Sequence, residues 1–410
     1  MDPLPTVKTR QRDARRRATR ITATVVAVGA LAAGCASDAP QDTWQPAGPN
    51  AQAIHDLQWP VFLIAGIVGL IVFVVLGYIL WRYRDRGQPV PEQTHGKPAL
   101  EIVLTIIPAL ILIGVAIPTV GTLMALSDTD DTECIVNVTG QQWWWEIDYP
   151  VQDGCQGIEA PIVTSGQMVV PTGTAVLVRG TSRDVIHSWW IPKLNGKKDM
   201  VPGRVHVTKI EADEPGIYAG QCTEFCGLSH ANMRMEVVAL DPADFDTWKA
   251  GQLAAYESPA EELAAAGEAQ FIAQCSRCHQ VDGLENAEGE PIVARPDREV
   301  YSGAAPDLSH LMSRNTFAGA SYDLLNSVCR ADVWQSDPAS FGEKYLAGVD
   351  LACLNSVELR EWLRNAPAKK PMYTDPTQLG ATDGLVRGMP YLALGEEQID
   401  ELVAYLLERQ

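Results

Sequence analysis

Two long apolar runs lie in the first third of the chain. The first extends from Trp59 to Trp81 without a charged residue, and the second, residues 100–126, is nearly all apolar despite Pro108 and Pro118. A run of about 20 apolar residues can cross a bilayer as a helix, aromatic side chains collect at its ends, and proline is tolerated within it. The pattern predicts a hairpin of two transmembrane helices, residues 59–81 and 100–126.

After the second run the chain changes to short segments with a β pattern. Segments such as CIVNVTGQQWWWEIDY and GTAVLVRGTSRDVIHSWWI are rich in β-branched and aromatic residues, and Gly, Pro and Asp separate them. Several strands of this kind in succession are typical of a small β-sandwich or β-barrel. We therefore predict an all-β domain over residues 127–253, closed by a short helix that begins at Asp241–Pro242.

The C-terminal part of the chain has a helical pattern. EELAAAGEAQFIAQC and EEQIDELVAYLLE place apolar residues three and four positions apart, which is the spacing along one face of an α-helix. We predict an all-α domain over residues 266–410, joined to the β-domain by a linker at residues 254–265.

The N-terminus has the composition of an export signal. Several basic residues precede ITATVVAVGALAAG, an apolar stretch too short for a membrane span. We predict a signal peptide over residues 1–34 and, since LAAGC resembles a bacterial lipoprotein processing site, either lipidation of Cys35 or ordinary cleavage nearby. Residues 35–58 are then external, and RYRDRG with Lys97 makes residues 82–99 a cytoplasmic loop. Both ends of the chain are thus predicted outside a bacterial plasma membrane.

Charge and cysteine content narrow the classes of function. The formal net charge is −19, which argues against a nucleic-acid partner because phosphate is repelled. Residues 241–410 carry more than twice as many acidic as basic residues, a surface that suits a basic protein partner or serves solubility alone. An exported chain meets an oxidising compartment, so its nine cysteines should be paired, metal-bound or modified. Cys134 with Cys155 and Cys329 with Cys353 are candidate disulfides.

One loop of the β-domain combines four side chains that bind soft metals. The sequence GQCTEFCGLSHANM contains Cys222, Cys226, His230 and Met233. Two thiolates, an imidazole and a thioether favour copper, although a disulfide or a zinc site would use the same cysteines. A second imidazole is needed from elsewhere, and His187 in DVIHSWW is the best candidate. His206 is weaker, because it alternates with two valines and is predicted to face solvent.

The start of the α-domain carries a second cofactor motif. Cys275-x-x-Cys278-His279 is the pattern of covalent haem c attachment, in which two thioethers hold the porphyrin and the histidine binds iron. A sixth ligand should follow later in the chain. Met389 lies just before the C-terminal amphipathic stretch, as in class I cytochromes c. The alternatives for the sixth ligand are Met312 and Met372.

The resemblance to class I cytochromes c includes the segment GAAPDL. There, Pro306 resembles the residue whose carbonyl fixes the ring of the haem histidine. Compared with a minimal cytochrome c, this domain has a long insertion around residues 284–355, to which the sequence assigns no role.

Separated motifs of the β-domain resemble subunit II of cytochrome c oxidase. They are HGKPALEI, QQWWWEIDY, DVIHSWWIP, KKDMVPGR and GQCTEFCGLSHANM, which occur in the family order within residues 55–250. The resemblance implies a cupredoxin fold with a dinuclear copper centre, CuA. It implies that Cys222 and Cys226 bridge both coppers, that His187 and Met233 complete one, and that His230 and the Glu224 carbonyl complete the other.

The same resemblance suggests further roles. The Glu224 carboxylate would bind magnesium shared with the catalytic subunit. Glu101 would lie near a proton-uptake channel, the alternative being an acid that stabilises a helix N-terminus. Trp143 would be the point where electrons enter, the alternative being simple packing. On a strand, Trp143 and Trp145 share one face and Trp144 the other, so that part of the cluster needs a partner or water.

With its cytochrome c, the chain resembles subunit II of a caa-type oxidase. Such a subunit relays electrons from an external donor, cytochrome c or a cytochrome bc-type complex, through haem c and CuA to a catalytic haem–copper subunit I. That subunit would reduce oxygen to water and pump protons. Two alternatives stay open: the electron-input subunit of a CuA-containing nitric oxide reductase, and a free-standing membrane electron carrier. The partners expected are the other oxidase subunits, the donor and membrane lipid.

Overall fold

The two apolar runs form long helices. The computed structural model describes residues 19, 23, 39–87, 95–151, 154–155, 157–286, 289–292, 305–372 and 388–410. Helix α1 spans Pro49–Arg82 and helix α2 spans Pro98–Ser127. Each has proline in its first turn, where the missing N–H would have no partner within the helix anyway. Both are long and apolar enough to cross a membrane, and most of their apolar side chains are exposed, as a lipid-facing surface requires.

Helix α1 begins well before the predicted span, inside the segment that the sequence predicts to be external. Its first turn is tied to the β-domain, since Asn50 Nδ2 donates to the carbonyl of Lys209 at 3.1 Å. Just before the helix, the amide of Ala47 donates to the carbonyl of Lys193 at 2.9 Å. The extended helix therefore connects the membrane span directly to the β-domain.

Some of the N-terminal predictions fall outside the described residues. This applies to Cys35, to all of the predicted signal peptide except residues 19 and 23, and to residues 88–94 of the predicted cytoplasmic loop.

The β-domain consists of two sheets and a short ribbon. Its strands are β1 Cys134–Gln141, β2 Trp144–Tyr149, β3 Ile162–Ser165, β4 Gln167–Pro171, β5 Val176–Ser182, β6 His187–Trp189, β7 Lys198–Met200, β8 His206–Ile210, β9 Gly216–Gln221 and β10 Arg234–Leu240. One sheet has the order β3-β2-β1-β5-β8, a second has the order β4-β10-β9, and β6 pairs with β7. Strand β1 is parallel to β5, and β10 is parallel to β4.

The core of this domain follows from alternation along its strands. In β1, Cys134, Val136 and Val138 are buried while the residues between them are partly exposed, as expected for a strand with one face on the core. Trp145 and Ile147 of β2 join the same buried cluster. The predicted all-β domain is confirmed, and its arrangement is cupredoxin-like.

A short helix closes one end of the sandwich. Helix α3 spans Pro242–Gln252. Its Trp248 ring lies 5.3 Å from the Tyr149 ring and 5.6 Å from the Phe245 ring. The contact with Tyr149 of β2 holds the helix on the sheet, so α3 belongs to the β-domain in packing as well as in sequence.

The C-terminal domain is mostly helical. Its helices are α4 Glu262–Gln270, α5 Ser327–Trp334, α6 Pro338–Leu346, α7 Ser356–Lys369 and α8 Glu396–Leu407. A five-residue π-helical turn, Phe271–Cys275, continues α4. The prediction of an all-α domain needs one correction, since strands β11 Thr316–Phe317 and β12 Tyr322–Asp323 form a small ribbon within the insertion. The two strands are joined by a turn in which Gly319 has a positive φ. The spacing of apolar residues, from which the helices were predicted, does not indicate such a turn.

Helices α4 and α8 pack closely against each other. A Cβ atom built on Gly267 would lie 2.0 Å from the Glu401 carbonyl oxygen, so only glycine permits this approach. One turn farther on, the rings of Phe271 and Tyr405 lie 5.2 Å apart. This helix pair fixes the segment that leads into the CxxCH motif.

The structure joins both pairs of cysteines proposed as disulfides. Cys134, at the start of β1, is bonded to Cys155, and Cys329 of α5 is bonded to Cys353. The second bond lies within the insertion and ties α5 to the turn before α7.

The β-domain and the C-terminal domain share a buried polar contact. Gln167 Oε1 accepts hydrogen bonds from the Asn315 amide at 3.2 Å and from the Tyr345 hydroxyl at 3.1 Å. Gln167 Nε2 donates to Glu236 Oε2 at 2.7 Å. All four residues are buried, and buried polar groups keep such partners because an unmade bond is costly. The two domains are therefore held together by bonds that water does not replace.

Glu236 makes this contact sensitive to pH. Burial raises the pKa of Glu236 from 4.5 to about 7. Because the folded chain keeps a proton that the unfolded chain loses, stability falls as pH rises from about 4.5 to about 7. Glu236→Gln keeps an acceptor for Gln167 and should remove this loss, which amounts to about 3 kcal/mol for a shift of that size.

The measurement is the apparent melting temperature in detergent at about pH 5 and about pH 8, on either side of the shifted pKa. Wild type should lose more stability between the two than Glu236→Gln does. Glu343→Gln, which changes an exposed acid on α6, should behave as wild type. Equal pH dependence in all three chains would contradict the assignment.

Candidate copper and haem sites

The predicted copper ligands converge at the ends of three strands. His187 begins β6, Cys222 directly follows β9, and Met233 directly precedes β10. The candidate ligand atoms of His187, Cys222 and Cys226 lie within 4.8 Å of one another, and all three residues are buried. The pairing of the strands thus brings His187 close to the loop that contains the two cysteines, although the two are distant in the sequence.

The distances around the two cysteines define the cluster. Their sulfur atoms are 3.8 Å apart. Cys226 Sγ lies 3.5 Å from His230 Nδ1 and 3.8 Å from Met233 Sδ. Cys222 Sγ lies 4.0 Å from His187 Nδ1 and 3.3 Å from the Glu224 carbonyl oxygen. Each sulfur therefore has one imidazole and one weaker donor beside it.

This donor set fits copper better than the alternatives. A disulfide requires a sulfur–sulfur distance of about 2.05 Å, and the Cys222–Cys226 separation of 3.8 Å excludes that bond. A structural zinc ion takes four ligands, whereas two thiols, two imidazoles, a thioether and a carbonyl are gathered here. A soft set of this size suits two coppers that share the thiolates.

A carboxylate behind His187 was not among the residues predicted from the sequence. Asp184 Oδ1 lies 2.8 Å from His187 Nε2, and both side chains are buried. Burial lowers the pKa of His187, but the hydrogen bonds and negative charges of Asp184 and Cys222 together outweigh burial and raise this pKa. The contact fixes the ring so that Nδ1 faces the cysteines, as carboxylates behind metal-binding histidines do. The acid three residues before His187 in RDVIH was the available signal.

The two thiols differ in acidity. Hydrogen bonding with Cys226 lowers the pKa of Cys222, while hydrogen bonding with Cys222, together with burial, raises the pKa of Cys226. One thiolate forms readily, and the second needs a positive charge nearby. A metal ion supplies that charge, because thiols deprotonate when they bind it.

The tryptophan cluster is arranged differently from the prediction. Trp143 lies in the turn between β1 and β2, and only Trp144 and Trp145 are on the strand. All three are buried, with Trp143 2% exposed, so the face that was predicted to need a partner or water is covered by protein. The Trp143 Nε1 atom donates to the Cys226 carbonyl at 3.1 Å. The Trp143 ring therefore lies directly beside residues 222–233, which we call the copper loop.

A lysine for which the sequence predicts no role covers the same turn. Lys370 is 3% exposed, and its Nζ atom donates to the carbonyls of Trp143 and Ala318, both at 2.7 Å. Burial lowers its pKa to about 7. A lysine in the sequence KKP is expected at the surface, so the local sequence does not predict that Lys370 is buried against this turn.

Three other predicted side chains lie outside the copper cluster. The Glu224 carbonyl belongs to the cluster, but the Glu224 side chain is exposed. Glu101 is exposed in the first turn of α2. His206 is half-buried, and its Nδ1 lies 2.6 Å from the Asp199 carbonyl; it is not part of the cluster around Cys222.

The residues of the CxxCH motif form a turn at the end of the helical segment that begins with α4. Cys275 and Cys278 are not disulfide-bonded, and the amide of His279 donates to the Cys275 carbonyl at 2.9 Å, so the motif is a helical turn. His279 Nδ1 lies 2.7 Å from the Pro306 carbonyl. That contact holds the imidazole ring in place, as the resemblance of GAAPDL implies.

The three candidate methionines fall into two groups. Met312 is fully buried, and its backbone is bonded to Arg409 and Val349, which makes it a core residue. Met372 and Met389 are half-buried. A Cβ atom built on Gly388 would lie 2.4 Å from Met372 Sδ, so Met372 lies against the residue that precedes Met389.

The two long helices and the β-domain match known protein families. Residues 134–240 match the family described as cytochrome c oxidase subunit II, periplasmic domain, and residues 40–121 match its transmembrane domain. Cytochrome c oxidase subunit 2 of Alkalihalophilus pseudofirmus is 36% identical over 280 residues, which cover 66% of this chain and 79% of that protein. Cytochrome c oxidase subunit 2 of Bacillus sp. strain PS3 is 30% identical over 399 residues, with coverage of 92% and 93%.

Among solved structures, the periplasmic domain of subunit II of cytochrome oxidase from Bradyrhizobium japonicum is similar. It is 28% identical and covers 29% of this chain and 92% of that one, with a TM-score of 0.27.

These similarities confirm the predicted family, the two membrane-spanning helices and the β-rich domain that follows them. The periplasmic-domain match also implies copper binding, in agreement with the cysteine–histidine cluster. The chain belongs to the cytochrome c oxidase subunit II family, the electron-transfer subunits of haem–copper oxidases.

Proposed function

We propose that this chain is the electron-input subunit of a proton-pumping, oxygen-reducing oxidase and carries its own class I cytochrome c as the C-terminal domain. When bound, haem c and the dinuclear copper centre would supply one-electron redox chemistry. One observation carries the proposal: the segment that leads to the candidate haem methionines touches the copper loop, where the Ser229 hydroxyl donates to the Pro371 carbonyl. The relative from Bacillus sp. strain PS3 matches over 92% of this chain, so its similarity reaches the C-terminal domain.

The chain's own residues would hold the two cofactors independently. Cys222 and Cys226 would bridge the coppers, with His187, Met233, His230 and the Glu224 carbonyl as the remaining ligands. Cys275 and Cys278 would form the thioether bonds, and His279 and Met389 would bind iron. The Asp184 carboxylate would orient His187, and the Pro306 carbonyl would orient His279. The domain boundaries predicted from the sequence, 127–253 and 266–410, separate these two ligand sets.

The outward face of the copper loop suits a partner subunit. Phe225 and Leu228 are exposed, at 77% and 53%, and the exposed Glu224 lies between the two cysteines. Apolar side chains exposed beside an acid are typical of a surface that another protein covers. We assign this face to subunit I, with Glu224 toward a shared magnesium ion.

The remaining assignments follow the membrane topology. Glu101 lies in the first turn of α2 and would serve proton uptake on the cytoplasmic side. Cys35 would carry a lipid anchor on the outside, where the copper and haem domains would also lie. The donor would be cytochrome c or a cytochrome bc-type complex with a basic face, because the C-terminal domain is acidic.

Purification of the chain with its partners tests the proposal. We expect two coppers and one covalent haem per chain, measured by elemental analysis and haem-stained electrophoresis, and oxygen consumption by the complex. Consumption of nitric oxide in preference to oxygen would favour a nitric oxide reductase. A chain purified without a catalytic subunit under gentle conditions would favour a free-standing carrier.

Trp143→Phe tests whether the tryptophan beside the copper loop conducts electrons. Phenylalanine loses the Nε1 bond to the Cys226 carbonyl, but Gln142 Nε2 still donates to that oxygen at 2.6 Å, so the loop should keep its copper spectrum. Phenylalanine also fills the space of the tryptophan ring less completely, and we therefore expect the free energy of unfolding to fall by about 1–2 kcal/mol. Flash-induced reduction of haem c, followed at the copper band, should show markedly slower transfer. An unchanged rate with a lowered melting temperature would leave packing as its only role.

A further inference from the structure

We infer that Gly140, which binds no metal itself, positions the histidine His187 for the copper centre, an inference that rests on the proposed function. Because Gly140 has no side chain, the imidazole ring of His187 lies directly against the backbone of strand β1. From there its Nδ1 atom is 4.0 Å from Cys222 Sγ. Gly140 lies far from the copper loop in the sequence, just before the tryptophan run.

The backbone of Gly140 forms one wall of the space that the His187 ring occupies. A Cβ atom built on Gly140 would lie 2.8 Å from His187 Cδ2 and 3.1 Å from His187 Cγ. Carbon atoms that are not bonded to each other normally stay about 3.5–4.0 Å apart, so alanine fits here only if the ring moves. Gly140 does not have a positive φ. The need for glycine therefore comes from space and not from backbone conformation.

Strand pairing places Gly140 at this point. Gly140 lies opposite Trp145 of β2 and Ser182 of β5, and its carbonyl accepts a hydrogen bond from the Arg183 amide at 3.0 Å. The chain then leaves β5 and continues to His187, the first residue of β6. The segment that leads to His187 is thus fixed to the backbone of Gly140, and the ring covers the position where a side chain of Gly140 would begin.

The His187 ring is enclosed on its other sides as well. The Trp145 ring lies 5.7 Å from it, edge to face, and Asp184 Oδ1 lies 2.8 Å from His187 Nε2. His187 and Trp145 are both 0% exposed, and a Cβ atom on Gly140 would also lie 3.0 Å from Trp145 Cζ3. Because a close-packed interior has little spare volume, a methyl group on Gly140 must turn or shift the imidazole ring. The direction of Nδ1 toward Cys222 then changes.

The orientation of a ligand ring matters for the metal that it binds. Contacts behind a metal-binding histidine fix its direction, and their loss typically weakens metal binding about 10–100-fold. The Asp184 carboxylate acts on His187 through a hydrogen bond, whereas Gly140 acts through the space that it leaves free. Both hold the ring in position before copper arrives, as a preorganised site requires.

Gly140→Ala in the purified complex tests this role. We expect the copper hyperfine pattern in electron paramagnetic resonance and the copper absorption band to change, and the copper potential to shift. Copper should be lost to a chelator at a concentration about 10–100-fold lower than in wild type. Covalent haem and the potential of haem c should stay unchanged. A glycine needed only for packing would lower the melting temperature and leave the copper signals as they are.

Two glycines elsewhere serve as controls. Gly251→Ala lies on α3, where nothing is within 4 Å of the Cβ position, and should behave as wild type. Gly267→Ala would place its Cβ atom 2.0 Å from the Glu401 carbonyl oxygen, so it should lower the melting temperature without changing the copper signals. Wild-type copper signals in Gly140→Ala would overturn the inference alone. A wild-type chain without copper would refute the proposed function and, with it, the role of Gly140.

A double variant covers the case in which alanine at this position prevents folding. Trp145→Phe removes Cζ3 and with it the second close contact, while the contact between residue 140 and His187 remains. Gly140→Ala with Trp145→Phe should therefore fold and show copper signals different from those of Trp145→Phe alone. Identical copper signals in these two chains would show that Gly140 does not position His187.

Discussion

Replacing Cys222 with serine is expected to remove copper from the chain and leave covalent haem in place. Cys222 Sγ stands 3.8 Å from Cys226 Sγ and 3.3 Å from the Glu224 carbonyl, so it is central to the donor set. A serine hydroxyl is a hard donor that stays protonated at neutral pH, whereas copper prefers thiolate. Elemental analysis should show loss of both coppers, and the mixed-valence signal in electron paramagnetic resonance should disappear.

Two controls make this result specific. Cys275→Ser changes a cysteine of the haem motif and should alter haem attachment while copper content stays unchanged. His187→Asn should impair copper binding, whereas His206→Asn, at a histidine outside the cluster, should not. Retention of one copper in Cys222→Ser, or of zinc in wild type, would contradict a thiolate-bridged pair.

The candidate copper cluster could be predicted because most of its residues lie in one loop. Cys222, Cys226, His230 and Met233 fall within a short stretch, so the chemistry of the set is visible before any folding is considered. His187 was accessible because it follows a strand-like segment and the set lacked a second imidazole. Asp184 was not identified, because its role depends on the direction of the His187 ring, which packing alone decides.

The surroundings of the site could not be predicted, because they come from distant parts of the chain. The tryptophans were expected to need a partner, and the partner is the C-terminal domain of the same chain, through Gly319 and Lys370. A periodic pattern shows that a face is apolar but does not identify what covers it. A buried lysine is rare, and here the carbonyls of Trp143 and Ala318 accept its hydrogen bonds.

The membrane helices show a similar limit. The apolar run begins at Trp59, since His55 and Asp56 interrupt the pattern before it, yet α1 begins at Pro49. Backbone hydrogen bonds continue a helix whether or not its side chains suit a membrane, and proline in the first turn favours that start. Apolar patterning therefore predicts the membrane-spanning part of a helix and not its full length.

Met389→Ala is expected to remove the sulfur–iron absorption band of haem c and to lower its potential, because methionine ligation raises it. Met389 and Met372 lie on the same side of the domain, with Met372 Sδ against Gly388, so position alone does not separate them. Met372→Ala should therefore keep the band, with at most a small change in potential. Met312→Ala should also keep it but lose about 2–5 kcal/mol of stability, as truncation of a fully buried methionine does.

The three variants together assign the ligand. Absorption spectra of the oxidised and reduced chains, with redox titration of haem c, give the band and the potential, and melting curves give the stability. Loss of the band in Met372→Ala and its retention in Met389→Ala would transfer the ligand role to Met372. Because Pro371 accepts the Ser229 hydroxyl bond, that outcome would place the iron ligand one residue from the contact with the copper loop. Loss of the band in Met389→Ala alone would instead place the ligand in the segment that leads to helix α8, next to Gly388, against which Met372 lies.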